Sequence, residues 1–267
     1  MKPGVPLLVA QLILGACTPP ARHIEATAES HGFSRSIVRG TRYEHVLYSN
    51  RLADANSPLH VYIEGDGIPY LAGGLPAPDP TPRVTVMLDL MALDPGPAVY
   101  LGRPCYFGLA DRPPCEAGDW TQRRFSPEVV ESMASALDQI TRASHNGQLE
   151  LFGHSGGGTL AVLLAHRVKN VIRVVTLAGN LDHRKWSELH GYLPLTGSLN
   201  PVDEGPLPAY IAQLHVAGER DKIVPANLIE SAAIQLGAEG IRILPGQAHA
   251  CCWADFWQEL LARPSRQ

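Results

Sequence analysis

The sequence predicts an α/β fold: a mostly parallel sheet with helices on both faces and a small cap. Two observations lead there. Short β-rich runs alternate with longer segments of helical period along most of the chain, the pattern of strands joined by crossover helices. The 267 residues are 45% hydrophobic and only 18% charged, enough for one sizeable core and too apolar for a mainly disordered chain. No internal period points to a solenoid or propeller. The net charge of −4, with no basic run or basic–aromatic stripe, argues against a nucleic-acid partner.

Each element has a local reason. Ser36–Val38 and Tyr43–Tyr48 read as a first pair of strands, and Leu59–Ile63 as a third that ends at the glycine-punctuated loop Glu64-Gly65-Asp66-Gly67. Thr81-Pro82 is expected to start a helix running to about Leu93, and Ala98–Leu101 is the next strand. Ser126-Pro127-Glu128 supplies a cap, a first-turn proline and a first-turn acid. Val129, Val130, Met133, Leu137 and Ile140 then share one helical face. The strand Leu149–Phe152 leads into a helix from about Gly157 to Val168 that is apolar nearly all round and therefore buried. Strands at Val171–Ala178, Ile211–Val216 and Ile241–Leu244, and a helix at Pro225–Leu236, continue the alternation. Trp253, Phe256, Trp257, Leu260 and Leu261 form the core stripe of a closing helix. The segment from about 179 to 208 has no sustained period and reads as the cap.

Lys2, the apolar stretch Val5–Leu14 and the small-residue exit Leu14-Gly15-Ala16 read as a secretory signal too short to span a bilayer. Cys17 placed directly after Leu-Gly-Ala resembles a bacterial lipoprotein processing box. That resemblance implies cleavage before Cys17, acylation of Cys17, and a cell-envelope location at the outer membrane or periplasmic face. The expected organisation is a signal at 1–16, a tether at 17–33 and one folded domain at 34–267. Four cysteines remain. Cys105 and Cys115 flank a Pro-rich loop and are the first choice for a disulfide in an oxidising compartment. Adjacent Cys251 and Cys252 are expected either to bond each other, an uncommon geometry, or to send one thiol to the 105–115 loop. No Cys-x-x-Cys or His pairing at ligand spacing calls for a metal.

The chemistry rests on Gly153-His154-Ser155-Gly156-Gly157, set between a strand and a helix. Gly-x-Ser-x-Gly alone is a weak signal; the strand–turn–helix context makes Ser155 a candidate nucleophile. A hydroxyl needs a base, and the base needs a carboxylate to orient it. Asp221 and His249 each follow a strand, so in a parallel sheet their loops and that of Ser155 share one edge. Asp182 is a rival acid, Glu64 reads as a buried paired carboxylate, and His154 as a wall residue. His183, Trp186 and His190 are either pocket lining or loop packing.

The order Ser155, Asp221, His249, with Gly153–Gly157 as elbow and Gly218–Pro225 as acid loop, resembles the α/β-hydrolase superfamily over roughly residues 35–263. More closely, the chain resembles uncharacterised proteobacterial α/β-hydrolase-fold lipoproteins. The resemblance implies a hydrolase with Ser155 as nucleophile, His249 as proton carrier and Asp221 as its orienting acid. It places the oxyanion between the backbone N–H of Gly156 and one from the loop after Leu59–Ile63. Many members carry His-Gly in that loop. Here Asp66 holds the matching backbone position, and its side chain is expected to turn outward or bond the loop. The substrate class is a small acyl compound, with ester hydrolysis first and peptide or amide cleavage second. A hydrolase-like binding module without chemistry is the reading from a different class. No cofactor is expected, and the sequence leaves the oligomeric state open.

Overall fold

The computed structural model describes residues 19–50, 54 and 56–262. The expected signal 1–16 and Cys17 lie outside the described residues. Eight strands form one sheet: β1 (Ser34–Arg39), β2 (Glu44–Ser49), β3 (Leu59–Ile63), β4 (Ala98–Leu101), β5 (Leu149–His154), β6 (Val171–Leu177), β7 (Ala212–Gly218) and β8 (Arg242–Leu244). Their order is β1-β2-β4-β3-β5-β6-β7-β8. β2 runs antiparallel to both neighbours, and every other pairing is parallel.

Among the described residues the helices are α1 (Pro20–Ser30), α2 (Val86–Ala92), α3 (Pro127–Ser144), α4 (Gly156–Ala165), α5 (His183–His190), α6 (Ala226–Gln235) and α7 (Ala254–Ala262). The crossover β3–α2–β4 steps one way along the sheet, whereas β4–α3–β5 and β5–α4–β6 step the other. Right-handed crossovers therefore put α2 on one face and α3 with α4 on the opposite one. Contacts of α2 with α7, and of α3 with α4, complete the two outer layers. Tyr62, Phe152 and Trp257 pack ring against ring between the sheet and α7. Arg173 on β6 pairs with Glu150 and donates to the carbonyls of Leu260 and Leu261, tying the end of α7 to the strands.

Ser126 caps α3 as its sequence implies, accepting from the Val129 N–H at 3.4 Å. All ten residues of α4 are buried. Two expectations change. Residues 20–30 are not tether but helix α1, whose Ile24 and Ala28, one turn apart, lie fully in the core. The helix after β3 starts at Val86, not Thr81. Thr81 instead accepts the Phe107 N–H on its hydroxyl at 2.7 Å, and the Glu64 carboxylate takes the Met87 N–H at 2.9 Å, capping α2 there. Cys105 and Cys115 form a disulfide with Cα atoms 5.5 Å apart. Cys251 and Cys252 bond each other, so neither reaches the 105–115 loop.

Candidate active site

β5 ends at His154 and α4 begins at Gly156, leaving one residue, Ser155, to reverse the chain. It does so at φ 52°, ψ −120°, a left-handed conformation rarely adopted by a residue with a side chain, which holds the hydroxyl out over the sheet edge. The glycines make the turn possible. A Cβ on Gly153 would run into the Gly157 carbonyl, and one on Gly157 into the carbonyl of Ile63 at the end of β3.

Asp221 follows β7 and His249 follows β8. The Asp221 carboxylate is fully buried. One oxygen accepts the Ile223 and Val224 amides at 2.8 and 2.9 Å, and the other accepts the His249 Nδ1–H at 2.8 Å. Donation from Nδ1 leaves the Nε2 lone pair free to take a proton. His249 and Ser155 line one cavity of about 340 Å³ with Asp66, Gly67, Ile68, Arg83, Val84 and Ile223. The structure thus brings the three candidates to one edge. No hydrogen bond joins Ser155 to His249 among the described residues, and such contacts commonly tighten only around substrate.

The rival acid is occupied elsewhere. Asp182 caps α5, accepting the Lys185 N–H at 3.3 Å and the Asn200 amide at 3.0 Å. His183 bonds the Leu199 carbonyl within the cap segment, while Trp186 and His190 both donate to the Ile223 carbonyl and tie that segment to the loop after β7; none of the three lines the cavity.

His154 does more than form a wall. Its Nε2–H donates to the His249 carbonyl at 2.7 Å, and Trp253 donates to the same oxygen at 3.0 Å, so the loop carrying His249 is held from two sides. Trp253 was legible only as core packing, because a ring N–H aimed at a loop carbonyl leaves no trace in spacing. Burial, reinforced by the neighbouring His249, lowers the His154 pKa to about 4. Burial raises that of Glu64 to about 7.

The Asp66 side chain is neither turned outward nor bonded to its own loop. It lies against Gly156, where a Cβ would collide with it, and is clamped by Arg103 and Arg124, the latter at 2.7 Å. Both guanidinium groups are buried. Burial opposes the charged form of Asp66, but the Arg124 and Arg103 charges outweigh it and hold the carboxyl at about 2. The Tyr106 hydroxyl donates to the Asp66 carbonyl at 3.0 Å, fixing the peptide from the other side. The local sum is one positive charge beside the amides of Asp66 and Gly156, and α4 directs its positive end to the same place. Arg103, Arg124 and Tyr106 were missed by sequence reasoning; Arg103 follows β4 directly, but nothing in its neighbours names Asp66 as partner. Asp66→Ala strands two buried cations and is expected to cost about 3–5 kcal/mol in urea unfolding. A loss below about 1 kcal/mol would contradict the clamp.

Burial also keeps His45 and His215 neutral, with pKa values of about 4 against 6.5 for a free histidine, as for His154. Between those values the unfolded chain binds protons that the folded chain refuses, so stability falls as pH falls. Glu64 works oppositely: its stabilisation is full below 4.5 and is lost as pH rises through about 7. Three groups outweigh one, and the melting temperature is expected to drop steadily from pH 6.5 to 4. A flat or rising profile in thermal melts would contradict this.

No family model and no curated protein matches the sequence. Solved structures match its shape. A bacterial membrane phospholipase A, described as a virulence factor, is 17% identical with TM-score 0.57, over 91% of this chain and 89% of that one. An esterase of Pyrococcus furiosus is 9% identical with TM-score 0.58, over 87% and 88%. A proline iminopeptidase-related protein of Thermus thermophilus is 15% identical with TM-score 0.57, over 85% and 95%. The chain has the α/β-hydrolase fold.

Proposed function

We propose that the protein is a serine hydrolase that cleaves a small carboxylic ester through an acyl-enzyme intermediate. The observation that carries this is the Asp221–His249 hydrogen bond, which in the neutral imidazole turns the Nε2 lone pair into an acceptor, His249 and Ser155 lining one cavity. Ser155 Oγ attacks the acyl carbon as its proton passes to His249 Nε2, and the carbonyl oxygen becomes an oxyanion beside the Gly156 and Asp66 amides. Collapse of that intermediate breaks the acyl–oxygen bond, and the departing alkoxide takes the proton from His249. Water then attacks the acyl-enzyme, again through His249, releasing the acid and restoring the serine.

Ester substrates are favoured because the cap is small and the cavity suits a modest acyl group. Two fold neighbours, the phospholipase and the esterase, also carry ester-cleaving names. A panel of nitrophenyl esters and peptide amides tests this, with esters expected to turn over at least 100-fold faster. Faster amides would make the protein a peptidase or amidase, and no turnover of either class would leave a binding module. We further propose that Cys17 is acylated and anchors the chain in the bacterial envelope; Cys17→Ser should abolish incorporation of a labelled fatty acid into the chain, and persistent labelling would count against acylation.

A further inference from the structure

The elements at the edge that carries Ser155 bear several large exposed apolar side chains. Leu75 and Val84 lie in the loop after β3, Leu189, Tyr192 and Leu193 in the cap segment after β6, and Ile223 in the loop after β7. Leu193 is 85% exposed, Leu75 66%, and the others between 49% and 59%. Val84 and Ile223 form part of the cavity wall itself. Trp186 and His190 grip the Ile223 carbonyl, and His190 stacks on Tyr192, which places that tyrosine beside the mouth. Exposed side chains of this size on one functional edge mark a contact surface.

The chain's own course says what the surface meets. β1 is parallel to β4, being two antiparallel steps away, so it starts at the edge opposite the site. Helix α1 packs on β1 and joins it through a short turn, and its first turn therefore lies at the site edge. The side chain of Ala21 confirms the direction: it lies 3.7 Å from where a Cβ on Gly108 would sit, in the loop that follows β4. Cys17 stands three residues ahead of Pro20, at the start of α1. Because α1 is core-packed rather than tether, its start is held at that edge.

We propose that this edge is a docking surface for a lipid bilayer, and that the site draws its acyl ester from that surface. The second half rests on the hydrolase reading and the orientation rests on acylation of Cys17; the apolar face itself needs neither. Leu75, Leu189 and Leu193 enter the headgroup boundary while the Val84–Ile223 wall receives the acyl chain.

The test uses the full chain with Cys17→Ser, so that no covalent lipid contributes, and vesicles of phosphatidylethanolamine and phosphatidylglycerol. Co-sedimentation is expected with this chain, and Leu75→Asp/Leu193→Asp is expected to reduce partitioning at least tenfold. Neither residue lines the cavity, so both chains should hydrolyse a water-soluble short-chain nitrophenyl ester equally. No binding by the Cys17→Ser chain, or equal binding by the leucine variant, would overturn the docking face. So would an oligomer in the absence of vesicles that the leucine variant disperses, since the occupant would then be a second copy. Vesicle binding that depends on the leucines, without ester turnover, would uphold the docking face and remove the hydrolase reading alone.

Discussion

Ser155→Ala is expected to lower turnover of a short-chain ester by about 10⁴-fold or more while leaving the melting temperature nearly unchanged. The size of the effect follows from what is removed. Alanine keeps the Cβ and therefore the left-handed φ of 52° that the elbow imposes, so the backbone cost is the same in both chains. The hydroxyl makes no hydrogen bond among the described residues, so its loss breaks no contact that holds the fold. Only the attacking oxygen disappears. What remains is the cavity, the positive end of α4 and the clamped Asp66 peptide, which accounts for a small residual rate. Turnover within tenfold of wild type would mean that another group attacks the substrate.

Asp221→Asn should be nearly as damaging, with a fall of about 10⁴-fold and little loss of stability. The amide oxygen still accepts the Ile223 and Val224 amides, so the loop after β7 keeps its shape. The amide nitrogen, however, becomes a donor toward His249 Nδ1. The imidazole then carries its proton on Nε2 and presents a donor, not an acceptor, to the serine. Raising the pH cannot repair this, because the fault is the tautomer rather than the charge. Wild-type turnover in this variant would remove Asp221 from the mechanism. Asp182 could inherit the role only by leaving the end of α5, where Lys185 and Asn200 hold it.

The strands and the elbow were legible because their signals are local. Val171–Leu177 is apolar at five of its seven positions, and Ser126-Pro127-Glu128 announces a helix within three residues. The grouping of Ser155, Asp221 and His249 was legible for a topological reason: residues just past parallel strands share an edge. Contacts between distant side chains were not legible. Helix α1 was read as tether because only Ile24 and Ala28 mark its buried face, a pattern too sparse in a polar stretch to assert a helix. The start of α2 was placed five residues early because its cap is Glu64, which belongs to a different loop. Asp66 was expected to point away from the site on electrostatic grounds. That expectation left out the counter-charges, which come from Arg103 and Arg124 in the long segment between β4 and α3. An acid beside a developing oxyanion is harmful alone and harmless inside a cluster of net positive charge.

The most direct measurement is intact-mass spectrometry of the folded protein after exposure to a fluorophosphonate, followed by peptide mapping. If distant loops meet to activate one hydroxyl, a single adduct forms, it maps to Ser155, and Asp221→Asn slows its formation by orders of magnitude. A folded chain that takes up no label, or takes it up on other serines with Ser155 unmodified, would contradict that claim outright.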